Sequence, residues 1–265
     1  MFSCAPPRPL EAAEVALCIT GLREIALAPA LGLLGRAELE RAQRITCKDY
    51  RLQVVKARAL LRVMLSRCTG ESAKSFEFDE GGGTRPRLRT NPWGLHFSVS
   101  HSDDQVAVAL STAPVGIDIE RVGADCSWQA IAAICFHSSE RGLLQGAGGG
   151  AAREAFFEIW TRKEAYLKAI GTGLDTDPAS FSIAAPDSVV ATDASGPRAD
   201  TWFTRSIDAP AGYKAALASR CPRPRLMHWR LDGALAGHAS SGAIDIPRHQ
   251  TLPGAVAASA QRCAG

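Results

Sequence analysis

Hydrophobic and polar positions along the chain predict two long helices, each followed by short alternating segments. From Arg36 to Arg67 the pattern is helical, and at about 100° per residue Arg51, Arg58 and Arg62 share an arc of about 40°. Gly70 is the expected end of that helix. An extended stretch (Ser75–Phe78), a glycine turn (Gly81–Gly83) and a basic loop with Arg85, Arg87 and Arg89 follow. Leu95–Val99 alternates as a strand should, His101–Asp104 turns the chain, and Val106–Leu110 returns as a second strand. Val115–Glu120 reads as another strand, Gly146–Gly150 as a flexible loop and Arg153–Ile170 as a strong helix.

The two helical stretches carry a weak internal echo. Each ends near a Thr-Gly pair and leads to a phenylalanine-rich segment, at Phe76–Phe78 and Phe181–Ile183. Each then meets a hairpin-like pair, His96–Leu110 and Trp202–Ala218. Two copies of one helix-plus-antiparallel-strand unit would explain this. The expected division is therefore 1–112, 113–220 and a tail, 221–265. The tail is rich in Ala, Gly, Ser and Pro and reads as loosely ordered, with a short helix near Leu226–Leu235 as the alternative.

Composition adds little until the charge is divided. The net charge of +3 comprises +3 over residues 1–110, −3 over 111–220 and +3 over 221–265, a basic half beside an acidic one. Only six of the 30 basic residues are Lys, so two of them five positions apart, Lys163 and Lys168, need a reason. Eight scattered Cys show no C-x-x-C pair, which argues against a zinc site or disulfide framework and for a reducing compartment. No run approaches the roughly 18 apolar residues of a membrane span, and no leader pattern opens the chain. A cytoplasmic protein without membrane partners is expected.

Three constellations could carry chemistry. In Gly116-Ile117-Asp118-Ile119-Glu120, period two puts both carboxylates on one strand face and both isoleucines in the core. Such an oxygen-rich face suits a hard divalent cation, most plausibly Mg²⁺, with a solvated strand face as the plain alternative. On the second helix Phe156, Ile159, Trp160, Leu167 and Ile170 form one apolar arc of about 100°. Lys163 projects into its middle, a poor place for a cation without a partner, while Glu164 and Lys168 lie together at its edge. An exposed i,i+4 pair accounts for Glu164 and Lys168 but not for Lys163, whereas a site needing two cations and a carboxylate accounts for all three. Ser100-His101-Ser102 closes a strand, where hydroxyls and an imidazole can bind phosphate. No Walker loop, G-x-S-x-G or G-x-G-x-x-G accompanies them. Together they describe phosphoryl transfer, with cations neutralising phosphate oxygens and a carboxylate taking the nucleophile's proton.

Phe97-Ser-Val-Ser-His-Ser102, Gly116-Ile-Asp-Ile-Glu120 and Trp160-Thr-Arg-Lys-Glu-Ala165, with Lys168 and Gly171, stand in this order along the chain. With Arg85-Pro86 before them and Ala211-Gly-Tyr-Lys214 after, the sequence resembles the Sfp-type 4′-phosphopantetheinyl transferases over roughly residues 20–220. The Trp-x-x-Lys-Glu-Ala form resembles the subgroup named for that tripeptide. The resemblance implies an α+β fold: a pseudo-twofold monomer of two similar halves, each a long helix packed on a small antiparallel sheet. The implied reaction moves the phosphopantetheine arm of coenzyme A to a serine of an acyl or peptidyl carrier protein, releasing adenosine 3′,5′-bisphosphate. It further implies that Asp118, Glu120 and Glu164 hold Mg²⁺, or Mn²⁺ in its place. Glu164 is then the base, and Lys168 serves the leaving phosphate. Arg41, Arg85, Ser100, His101 and Lys163 join Lys168 around coenzyme A.

Two positions depart from the family pattern. Ser98 stands where Asn is usual and Arg85 where Lys is common; Arg still binds phosphate, often bidentately. Two other functions share part of the pattern. A metal-dependent nuclease would use the same carboxylates beside a basic helix, although an acidic second half and three Tyr disfavour a nucleic-acid partner. A non-catalytic carrier-binding module would need only the basic half.

Overall fold

Two helices of identical length, 22 residues each, organise the chain. The computed structural model describes residues 8–79, 86–123, 127–183 and 202–231. In the first half β1 (Glu14–Gly21) leads through α1 (Leu27–Leu33) and α2 (Arg36–Arg44) into the long α3 (Lys48–Thr69). A short pair, β2 (Phe78–Asp79) and β3 (Arg87–Leu88), then precedes the hairpin β4 (His96–Ser102) and β5 (Gln105–Ser111). The second half repeats the order: β6 (Val115–Arg121), α4 (Trp128–Cys135), α5 (Ser138–Gly146), the long α6 (Gly149–Ile170), then the hairpin β7 (Phe203–Ile207) and β8 (Tyr213–Ser219).

The sheets repeat as well. In each, the second hairpin strand lies centrally, between its hairpin partner and the strand that precedes the helices: β4-β5-β1 in one, β7-β8-β6 in the other. All of these pairings are antiparallel. The α+β architecture is that of two similar helix-on-sheet halves. Each long helix ends on a glycine in the left-handed conformation, Gly70 at φ 79° and Gly171 at φ 78°, where any other residue would carry a steric cost.

Three apolar clusters hold this together. One lies between α3 and the first sheet, with Leu60, Leu61, Leu65, Phe97 and Val108. A second lies under α6, where Phe156 stacks on Phe136 and on Trp160. The third joins the sheets: Val15, Leu17, Ala107 and Ala109 meet Val115, Ile117, Ile119 and Leu217. Ile117 and Ile119 therefore enter the core as their alternation predicts. The opposite face of β6 turns to α6, and Gly116 permits the approach: a Cβ there would lie 1.8 Å from the Ala165 carbonyl oxygen.

Several local expectations change. The Arg36–Arg67 stretch is two helices, broken at Ile45–Cys47, where β-branched Ile45 and Thr46 disfavour helix and the backbone is extended. Gly149 and Gly150 belong to α6 rather than to a loop. The strand β1, an apolar run without clean alternation, escapes the periodicity because it is buried on both faces. At Arg225–His228 the chain forms a strand, β9, parallel to β1, not a helix, because the edge of β1 offers backbone partners. The Gly81–Gly83 turn and residues 232–265 of the tail lie outside the described residues. Among the described residues no helix is long and apolar enough to cross a membrane.

Candidate active site

β4 of the first half lies along β6 of the second, and the candidate residues gather at this seam. Ser98, Ser100 and Ser102 share one face of β4 by the period of the strand. The Ser98 hydroxyl accepts from the Ile117 N–H (3.1 Å). Ser100 donates to Asp118 Oδ1 (2.7 Å), and Ser102 donates to Glu120 Oε2 (2.8 Å) while accepting from the Arg121 N–H (3.1 Å). From α6, Lys168 reaches across: its Nζ lies 2.5 Å from Asp118 Oδ1 and 2.9 Å from Ser100 Oγ.

Asp118 and Glu120 are both buried, so the solvated strand face is excluded. Burial pushes both carboxyls above their usual range, Glu120 well above it, and for Glu120 the neighbouring Asp118 charge adds to the effect. Burial works against the Lys168 ammonium too, but Asp118, Glu164 and Glu120 outweigh it and leave its pKa raised. Lys168 is a cation among three carboxylates, with 29% of its side chain exposed. Glu164, one turn before it on α6, is half-buried and acts electrostatically on both Lys168 and Glu120.

The rest of the expected set divides. His101 points to the other side of β4, where its ring meets exposed Tyr50 with centroids 5.6 Å apart. Burial, with Lys168 adding, pushes its pKa down to about 4, so the imidazole is neutral at neutral pH and offers an N–H rather than a charge. Arg41 is exposed on α2, and Arg85 lies outside the described residues.

Lys163 is corrected. Its side chain is 0% exposed and faces the core, where it pairs with Glu140 at 2.9 Å. It donates to the carbonyl oxygens of Pro178 and Phe181, each at 2.7 Å, and lies over the Phe181 ring. A cation within an apolar arc needed a partner, and the partner is a buried glutamate rather than a ligand. Glu140 was missed because its only local signal is a helix-capping pattern: it also accepts from the His137 N–H and the Ile183 N–H. The basic face expected on the first long helix is similarly engaged. Arg62 is buried on Glu38 and on the carbonyls of Ala73 and Phe76, Arg58 shares Glu38, and Arg51 donates to the Ile45 carbonyl.

The donor set of Asp118, Glu120 and Glu164 is chemically suited to a hard divalent cation. Asp118 Oδ2 is buried and makes no hydrogen bond, an oxygen whose desolvation a cation would offset. Among the described residues no three His, Cys, Asp or Glu side chains already converge as a metal cluster; the Lys168 ammonium holds the other Asp118 oxygen.

Buried carboxylates and a lysine thus meet at the seam of a two-half α+β scaffold. Residues 114–218 match the family model of the 4′-phosphopantetheinyl transferase superfamily. The chain is 46% identical over 90 residues to the 4′-phosphopantetheinyl transferase gsp of Aneurinibacillus migulanus, covering 34% of this chain and 37% of that one. It is 33% identical over 144 residues to HetI of Nostoc sp., covering 53% and 61%. Against Sfp of Bacillus subtilis it is 26% identical over 187 residues, covering 69% and 80%. It thus spans less than two thirds of gsp and of HetI. The chain is similar to 4′-phosphopantetheinyl transferases, Sfp among them.

Proposed function

We propose that this protein transfers the 4′-phosphopantetheine arm of coenzyme A to a serine hydroxyl of an acyl or peptidyl carrier protein. The observation that carries the reading is the seam itself: Lys168, Asp118 and Ser100 within hydrogen-bond distance, with Glu120 and Glu164 beside them. Glu164 takes the proton of the carrier serine as its oxygen attacks the phosphorus that bears pantetheine. The bond from that phosphorus to the bridging oxygen breaks, and adenosine 3′,5′-bisphosphate leaves. Lys168, kept protonated by three carboxylates, neutralises or protonates the departing phosphate. Asp118, Glu120 and Glu164 would hold Mg²⁺, which supplies charge neutralisation at the pyrophosphate. His101, neutral and beside Tyr50, offers an N–H toward coenzyme A. The internal engagement of Arg58 and Arg62 weakens the nuclease reading, which needs those charges outward.

The test is incubation of the purified protein with Mg²⁺, coenzyme A and a panel of apo carrier proteins, read by intact mass. A carrier gaining the mass of one phosphopantetheine arm is expected. No gain on any carrier that a known transferase modifies would overturn the proposal.

A further inference from the structure

We propose that Ser100 and Ser102 are positioning residues that orient the β6 carboxylates, and that Ser98 serves only to dock the two strands. The inference rests on the assignment of Asp118 and Glu120 as the metal-holding pair.

β6 is an edge strand of its sheet, and its neighbour β4 belongs to the other sheet. Edge N–H groups buried at such a seam must find acceptors. Serine hydroxyls provide them in place of a backbone ladder, at Ile117 and at Arg121.

The consequence lies in the hydroxyl protons. A hydroxyl has one proton to give, and its lone pairs accept. The Arg121 N–H can only donate, so with Ser102 accepting from it the serine proton is directed to Glu120 Oε2. The Lys168 ammonium can only donate as well, so the Ser100 proton goes to Asp118 Oδ1. Each hydroxyl is locked by an obligate donor on one side and a carboxylate on the other. Both serines and both carboxylates are buried, so water does not compete for these bonds. One oxygen of each carboxylate is thereby fixed, and Asp118 Oδ2 is left without a hydrogen bond. Ser98 receives a backbone N–H and touches neither carboxylate by hydrogen bond.

The experiment is Mn²⁺ titration followed by electron paramagnetic resonance, without coenzyme A or carrier, alongside thermal melting. Ser102→Ala and Ser100→Ala are expected to weaken Mn²⁺ binding by about 10- to 100-fold, the usual effect of removing a partner of a metal ligand. Ser102→Thr, which keeps the hydroxyl, should restore most of the affinity. Ser98→Ala should lower the melting midpoint and leave the affinity unchanged. Wild-type affinity in both Ser100→Ala and Ser102→Ala overturns the inference, as does equal weakening in Ser98→Ala, which would make the whole row simple docking. If the wild-type protein takes up no Mn²⁺, the metal assignment falls and the inference with it. If it does while the serine variants match it, only the inference falls.

Discussion

The two halves use one scaffold for different ends. Arg62 and Lys163 each lie fourteen residues after the first residue of their long helix, Lys48 or Gly149. Each is buried on a glutamate at the third position of the short preceding helix, Glu38 or Glu140, which also caps that helix. Each donates to two carbonyls of the segment after its helix, Ala73 and Phe76 or Pro178 and Phe181. Lys163 is thus the counterpart of a structural arginine. The candidate active-site residues break the symmetry. Aligned on the pairings Val15–Ser111 and Val115–Ser219, Asp118 stands where the first half has Cys18, and Glu120 where it has Thr20. Along the helices Glu164 replaces Val63 and Lys168 replaces Arg67. In the first half the equivalent space is closed by the segment after β9, where the Trp229 N–H donates to the Leu17 carbonyl and Arg67 lies over the indole. Burial pushes the Cys18 thiol up to about 12, so it carries no charge there. One copy keeps the fold; the other places a candidate site at the same positions.

The largest break in this comparison should come at the asymmetric positions. Glu164→Gln and Lys168→Ala are each expected to lower turnover by about 10²- to 10⁴-fold, measured by carrier loading. Arg67→Ala, at the counterpart position, should leave turnover intact. At the symmetric positions the effect should move from activity to stability. Lys163→Met and Arg62→Met are each expected to cost about 3–5 kcal/mol in urea denaturation by stranding a buried glutamate. Lys163→Met combined with Glu140→Gln should recover part of that loss. Gly116→Ala should cost about 1–3 kcal/mol or more and reduce turnover, because a methyl group there meets the Ala165 carbonyl and displaces α6. The first half has Ala at the same place, where a methyl is already accommodated.

The smallest effect concerns the strand edges. The edge of β1 is secured by β9 and by Glu14, which pairs with Arg8 and Arg225. The Arg8 hydrogen bond, then the Glu11 N–H and the cationic charges, hold the Glu14 pKa down to about 2, against an ordinary 4.5. A depressed carboxyl contributes stability that is complete above pH 4.5 and lost as the pH falls toward 2. Glu14→Gln should flatten that part of the acid melting curve, and an unchanged curve would refute the role.

Local pattern made much of this legible. The terminal glycines, the β4–β5 hairpin, the inward isoleucines of β6 and the repeated unit all follow from short-range rules that the chain obeys. Spacing and family resemblance single out Asp118, Glu120, Glu164 and Lys168 as candidates, and the structure gathers them at one seam. Lys163 was misassigned for a physical reason: a buried cation announces that it needs a partner but not which one, and Glu140 lies 23 residues away. Ser98 had no assigned role because its partner is a backbone N–H, which every residue but proline carries.

By itself, the sequence determined the elements, their repetition and the chemical kinds of group available for a phosphoryl transfer. Only the tertiary structure decided which buried charges compensate one another. Strand and helix periods are local, whereas the pairing of Lys163 with Glu140 and of Lys168 with Asp118 depends on how sheets and helices pack across the chain.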